Sequence, residues 1–313
     1  ATIPLVYVFG LNGIVPSIIA ASAATLLSSW YFCRRIDLPR VHVAPADFGE
    51  ESLRLLKLGF VFMVSGLLTF GAAYAIRLIV LHEEGVASAG LYQAAWAVGG
   101  LYIGIILQAM GTDFYPRLTA ASRNNSECNR LVNEQAQMSL LLAGPGVIAT
   151  LTFAPLVLQI LYSHAFDDAS DLLRLICLGM LLRSLAWPLG YIVVAKEANS
   201  LFFWTEVAAT VVHVGLAWIL VAQFGSAGAG AAFVGLYLWH SVIIYLVVRR
   251  ASGFRWSRDN ALLAPTYIMA CVGVFFATHL LPVLQSTLFG SAVLLLSMTY
   301  SIKKLVYLLR KST

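Results

Sequence analysis

The residues of this 313-residue chain that could do chemistry are few, and most lie inside long apolar stretches. Arg183 stands at the centre of the stretch 172–195. A guanidinium at mid-bilayer costs at least about 2.5–3.5 kcal/mol, so it must face a bundle interior or a wet cavity. There it either meets an anionic ligand or is held in a buried ion pair. Glu206, Thr210 and His213 share one face of the stretch 201–222, because the step from 206 to 213 turns a helix through about 700°. Glu206 is a candidate partner for Arg183, a candidate proton-handling group beside His213, or part of a structural polar face. Ser65, Thr69, Ala73 and Arg77 recur every four residues in 58–81. That stripe either lines a path, with Arg77 at its outer mouth, or packs closely on a neighbouring helix. Gln93 and Gln108 are candidate sugar or water contacts, and Tyr237, His240 and Ser241 form a weaker polar group. Arg174 lies nine residues before Arg183, about 900° round the helix and hence on the opposite face, where it is expected to snorkel to the headgroups.

The elements that must position these groups are membrane-spanning helices. Hydrophobic residues make up 60% of the chain and charged residues 11%, with a mean hydropathy of +0.83. A water-facing surface needs roughly 25% charged residues, so the chain belongs in a bilayer. Nine stretches approach the ~20 apolar residues that a crossing requires: 14–33, 58–81, 89–111, 138–162, 172–195, 201–222, 228–248, 262–281 and 284–302. The expected fold class is an all-α membrane protein, a polytopic helical bundle. Residues 117–137 carry scattered apolar positions among polar ones, which suits a helix lying at the headgroups. Asp47 and Glu50 have the spacing of an N-terminal capping box.

The basic residues orient the bundle. Of the 20 arginines and lysines, 17 fall in 34–57, 112–137, at 196, in 249–261 and in 303–313. The alternating intervals 10–13, 82–88, 163–171, 223–227 and 282–283 hold none. Positively charged loops stay in the cytoplasm, so 34–57 and the C-terminus are expected there, in a multi-pass plasma-membrane protein. The net charge of +5 then reflects membrane topology and implies no nucleic-acid partner.

Other chemistry is poorly supplied. Cys33, Cys128, Cys177 and Cys271 lie in spans or on the cytoplasmic side, where disulfides are not expected, and they lack metal-ligand spacing. The sequon at Asn124 falls in a cytoplasmic loop. No HExxH, nucleophile elbow or P-loop is present, so no metal or cofactor is implied. External loops of about a dozen residues or fewer argue against a membrane glycan polymerase or ligase.

The chain also repeats itself. Leu5-Val6, Phe9-Gly10, Gly13 and Arg34-Arg35 recur 215 residues later as Leu220-Val221, Phe224-Gly225, Gly228 and Arg249-Arg250. Long repeats in membrane proteins usually mark two structural halves around a central path. Five hydrophobic segments precede the second copy and almost nothing precedes the first, so an N-terminally truncated chain is expected.

Gly90-Leu91-Tyr92-Gln93-Ala94-Ala95, followed by Phe114-Tyr115-Pro116-Arg117-Leu118, resembles the G-x-Y-x-x-A … P-x-L pattern of polysaccharide flippases. Ala154-Pro155-Leu156, Leu161-Tyr162, Asp171-Leu172-Leu173-Arg174, Trp187-Pro188-Leu189-Gly190-Tyr191, Ala195-Lys196 and Glu206 follow in order. So do Phe224-Gly225-x-x-Gly228-Ala229-Gly230 and Gly253-Phe254-Arg255-Trp256-Ser257. Together they are similar to Wzx-type O-antigen flippases of the multidrug/oligosaccharidyl-lipid/polysaccharide (MOP) superfamily. The resemblance implies a two-lobe transporter with about nine of fourteen transmembrane helices present. Residues 1–35 would end the N-terminal lobe, 36–57 would link the lobes, 58–250 would form a six-helix C-terminal lobe, and 251–313 would add two helices and a tail. It implies a non-enzymatic flippase that moves undecaprenyl-pyrophosphate-linked oligosaccharide from the inner to the outer leaflet of a bacterial inner membrane by alternating access. Its partners would be that polyprenyl-linked oligosaccharide, membrane lipids and other polysaccharide-assembly membrane proteins. A cationic lumen suits the pyrophosphate, whereas a multidrug exporter of the same superfamily would favour an acidic cavity. Ile76 stands before Arg77 where relatives often place an acidic residue, which leaves Arg77 without an expected neighbour. Ser163 departs from a common glycine.

Overall fold

The computed structural model describes residues 2–35 and 45–312, with some side chains in 2–11, 45–62 and 309–312 outside that description. Residues 36–44 of the expected inter-lobe linker, Arg40 among them, lie outside the described residues, as do the side chains of Asp47, Glu50, Arg54, Lys57 and Lys311. Among the described residues every element is helical: α1 Thr2–Phe9, α2 Ile14–Cys33, α3 Pro45–Ala120, α4 Asn125–Leu161, α5 Ser170–Ala195, α6 Asn199–Phe224, α7 Ser226–Ser252, α8 Arg258–Leu280 and α9 Val283–Ser312. Eight stretches are long and apolar enough to cross a membrane, the 58-residue stretch Met63–Ala120 counting as one. The chain divides into two compact units, Ala1–Leu56 and Lys57–Thr313.

In the first unit, α1 passes through a 3-10 turn at Gly10–Gly13 into α2. Arg34 and Arg35 close α2 by stacking on Trp30 and Tyr31, 3.9 and 4.4 Å from the ring centroids. Such cation–π pairs suit the end of a span, where aromatic rings and arginines both seek the interface.

α3, most of which belongs to the second unit, is far too long to be one crossing. A straight α3 of 76 residues would measure roughly 110 Å, against a hydrocarbon core of ~30 Å. Gly85, at φ 84° and ψ −176°, breaks it. Arg77 donates to the side-chain oxygen of Gln93, 16 residues further on. In a straight helix these residues would stand about 24 Å apart, so the chain doubles back at Gly85 and α3 is a hairpin of two arms. Glycine serves here because a positive φ is strained for any residue with a Cβ. The expected loop 82–88 is thus helical except at this one residue. The described part of α3 starts at Pro45, and the capping expected of Asp47 and Glu50 rests on side chains outside the described residues.

No separate surface helix forms over 117–137. The second arm of α3 runs to Ala120, Asn124 caps α4 by accepting from the Glu127 N–H at 3.2 Å, and α4 then continues for 37 residues. No helix breaker separates its polar beginning from its apolar remainder, so one helix forms.

Polar contacts sort the connections onto two sides. On one side Lys196 donates to Ser122 O and Asn125 Oδ1, at 3.1 and 2.6 Å. There too Asn129 donates to Ser252 O at 3.0 Å, Asn260 donates to Asn133 O at 2.7 Å, and Lys304 pairs with Asp259 at 2.8 Å. This is the basic side. On the other side the Ser226 N–H donates to Glu84 at 2.7 Å, and His279 lies 3.5 Å from Asp171. Each contact joins connections that the charge pattern assigned to the same side.

α5 is the central helix. It packs on α4 and α7, α6 packs on α7, and α8 and α9 pack on α4. In His164–Ala195, 72% of the most apolar part is buried, against 11% in α9. Leu284, Leu288, Leu295 and Leu296 of α9 are exposed, as are Leu262, Met269 and Phe276 of α8. An apolar belt of that extent has lipid as its solvent.

Candidate functional site

α5 places Arg183 halfway along its length, about 20 Å from Ser170 and about 18 Å from Ala195 at ~1.5 Å per residue. The residue lines a cavity of about 630 Å³ enclosed by the first arm of α3, its second arm at Trp96, and α5, α6 and α7. Among the lining residues Arg183 is the cation and Glu206 the carboxylate. Thr210 and His213 line the same space from α6, Tyr237 and His240 from α7, and Ser65, Thr69 and Ala73 from α3. The four-residue stripe on α3 therefore faces the cavity as far as Ala73. The face shared by Glu206, Thr210 and His213 does so throughout.

The cavity holds polar atoms with nothing to bond. Arg183 Nε, His213 Nε2, His240 Nδ1 and Ser65 Oγ are buried without hydrogen-bond partners. Buried polar groups are almost always satisfied, so four such orphans on residues that line one space are unusual. No carboxylate lies within ion-pair distance of Arg183 among the described residues. Glu206 shares the cavity with Arg183 but forms no closed ion pair with it. The guanidinium thus has no ion-pair partner among the described residues.

Three expected positions belong elsewhere. Arg77 and Gln93 bond to each other and are absent from the cavity wall. The reason is the hairpin: eight residues on either side of Gly85, the two side chains meet across its arms. Gln108 is exposed and away from the cavity. Arg174 does not snorkel. Its side chain is only 12% exposed, its Nε donates to Leu151 O at 3.1 Å, and its terminal nitrogen meets Asp171 at 2.7 Å. The cause lies in α4. Leu151 O would normally accept from the N–H four residues on, but that residue is Pro155, which has none. Arg174 supplies the missing donor at the kink marked by Phe153 (φ −109°, ψ 23°).

Tyr237 joins an aromatic wall whose other members, Trp96, Trp187, Tyr191, Phe202 and Phe233, are not among the candidates that the sequence singles out. The spacing of Arg183, Trp187 and Tyr191 at i, i+4 and i+8 was the available signal.

Comparison with known proteins gives three results. The sequence family described as "Polysaccharide biosynthesis protein" matches residues 1–171, more than half of the chain. The match includes the α3 wall of the cavity and stops before Arg183. The chain is 25% identical to the probable low-salt glycan biosynthesis flippase Agl15 of Haloferax volcanii over 191 residues, which is 60% of this chain and 40% of that protein. Its backbone resembles the lipid II flippase MurJ, solved in an inward closed conformation, with a TM-score of 0.64 at 15% identity. That likeness covers 96% of this chain and 64% of the solved one, and it shows the fold. The chain therefore spans less than two thirds of either relative.

Proposed function

Because the chain belongs to the polysaccharide biosynthesis protein family, we propose that it functions in flipping lipid-linked oligosaccharide. The observation that carries this reading is Arg183: a cation halfway along α5, with no carboxylate in ion-pair range, in a cavity where Ser65, His213 and His240 also carry buried polar atoms without partners. An anionic headgroup with hydroxyl-rich sugars answers both needs. The guanidinium meets a pyrophosphate in bidentate fashion, and the surrounding donors and acceptors meet sugar hydroxyls. The polyprenyl tail stays in lipid while the head crosses. The names of the relatives support the same class, since one is a glycan biosynthesis flippase and the other a lipid II flippase.

The finer expectations form part of this reading. The substrate is a polyprenyl-pyrophosphate-linked oligosaccharide, with an undecaprenyl-linked O-antigen unit as the expected member. Transfer runs from the inner to the outer leaflet by alternating access of two lobes, and residues 58–250 form the second lobe. The basic side faces the cytoplasm of a bacterial inner membrane and includes the C-terminus.

Arg183 variants in the full-length protein test the reading. Arg183→Ala should abolish surface glycan export at near-normal membrane abundance. Arg183→Lys should retain part of the activity, since a point charge still meets a phosphate without the fork. Normal export by Arg183→Ala would sink the proposal.

A further inference from the structure

A second feature of α5 concerns the sugars themselves, and it rests on the reading above. Trp187 and Tyr191 follow Arg183 at successive turns of one helix face, each step ~6 Å along the axis. All three line the cavity, as does Phe202 at the basic-side end of α6. The Trp187 and Tyr191 rings stand at 80° with centroids 4.5 Å apart, so they form a corner of one wall and one floor.

The corner is held rigidly. Tyr191 touches Phe114 at 5.9 Å and Tyr115 at 5.4 Å, both edge or tilted contacts. Both rings back onto Gly111 of α3, where an added Cβ would lie 3.1 Å from the Tyr191 hydroxyl and 3.4 Å from Trp187 Cη2. The Tyr191 hydroxyl makes no hydrogen bond among the described residues. A fixed corner with a free hydroxyl loses little entropy when a ligand seats in it.

Its chemistry matches a pyranose. The C–H face of a sugar ring is apolar and weakly positive, the face of an aromatic ring is weakly negative, and the equatorial hydroxyls remain at the rim for polar partners. Glu206 and Thr210 of α6 and His240 of α7 line the same cavity and can serve as such partners.

We propose that Trp187 and Tyr191 form a sugar-stacking corner that receives the sugars nearest the pyrophosphate, so that the bound head lies with its phosphates at Arg183 and its sugars toward the Lys196 end of α5. The site selects glycosylated lipid over bare polyprenyl pyrophosphate, and the stacked rings set the tolerance for sugar stereochemistry.

Calorimetric titration of the purified full-length protein with two probes tests the assignment. One probe is a polyprenyl-pyrophosphate-linked disaccharide and the other is polyprenyl pyrophosphate without sugar. Trp187→Ala should weaken binding of the first by about tenfold and leave the second unchanged, while Trp187→Phe should restore most of the loss. If Trp187→Ala does not fold, Trp187→Leu against Trp187→Phe makes the same comparison at similar apolar bulk. Unchanged affinity for the glycosylated probe, or equal weakening of both probes, would overturn the corner. Arg183→Ala reads the other half independently: it should weaken both probes, and failure to do so would remove the pyrophosphate reading while leaving the corner standing on its own result.

Discussion

Arg77 and Gln93 are joined across the Gly85 turn, so the arginine expected at the mouth of the path clasps a helical hairpin. Its Nε is buried without a partner, while Gln93 and the bond itself are exposed. The first consequence is that Arg77 and Arg183 answer to different measurements.

Arg77→Ala and Gln93→Ala should each lower thermal stability, and a double-mutant cycle should return a coupling of about 0.5–1.5 kcal/mol. Glycan export per folded molecule should stay near normal in both. Loss of export by Arg77→Ala at unchanged stability would return Arg77 to a gating role.

Arg174 should matter to folding. Arg174→Ala strands the Leu151 carbonyl opposite Pro155, and an unsatisfied buried acceptor costs about 1–3 kcal/mol. Pro155→Ala restores the helical donor, so the double variant Arg174→Ala/Pro155→Ala should recover part of the loss. Thermal unfolding in detergent reads both; no recovery would mean that Asp171 carries the whole effect.

Cysteines at Glu206 and His213 should react quickly with a charged, water-soluble thiol reagent, because both side chains line the cavity. Cysteines at Val207 and Val211 should react more slowly. Val211 is 65% exposed and off the cavity wall, a position facing lipid. Equal protection at all four sites would mean that the cavity is dry in the membrane.

The two repeat copies should respond alike to one substitution. A Cβ on Gly13 would lie 2.2 Å from Leu5 O, and a Cβ on Gly228 2.1 Å from Leu220 O. Gly10 and Gly225 take φ of 55° and 62°. Backbone cannot rotate away as a side chain can, so Gly13→Ala and Gly228→Ala should each destabilise by about 1–3 kcal/mol. A silent Gly13→Ala would break the equivalence of the copies.

Reporter fusions after Arg250 and Lys311 should read cytoplasmic, and a fusion at Ala227 should read external. An external reading after Arg250 would invert the side on which the basic connections lie.

The helical class, the long apolar stretches and the grouping of the connections into two sets were legible in residue order. Each depends on a local quantity: about twenty apolar residues for a crossing, and a charge that will not cross lipid. The repeat was legible for the same reason, since its glycines answer to contacts only eight residues away. Periodicity also placed Glu206, Thr210 and His213 on one face, and the cavity lies against that face. What lies across from a face is a different matter. Helical spacing could not say whether Arg183 would close on Glu206 or stand open to a ligand, because that depends on the approach of α5 to α6. Nor could it say that Arg77 meets Gln93, which required the reversal at Gly85. Arg174 shows the limit most clearly. Its partner is a carbonyl 23 residues away that is free only because Pro155 follows it by four. The tertiary structure decided these pairings because they are distances between helices, and a sequence fixes rotation about a helix axis far better than the packing of one helix on the next.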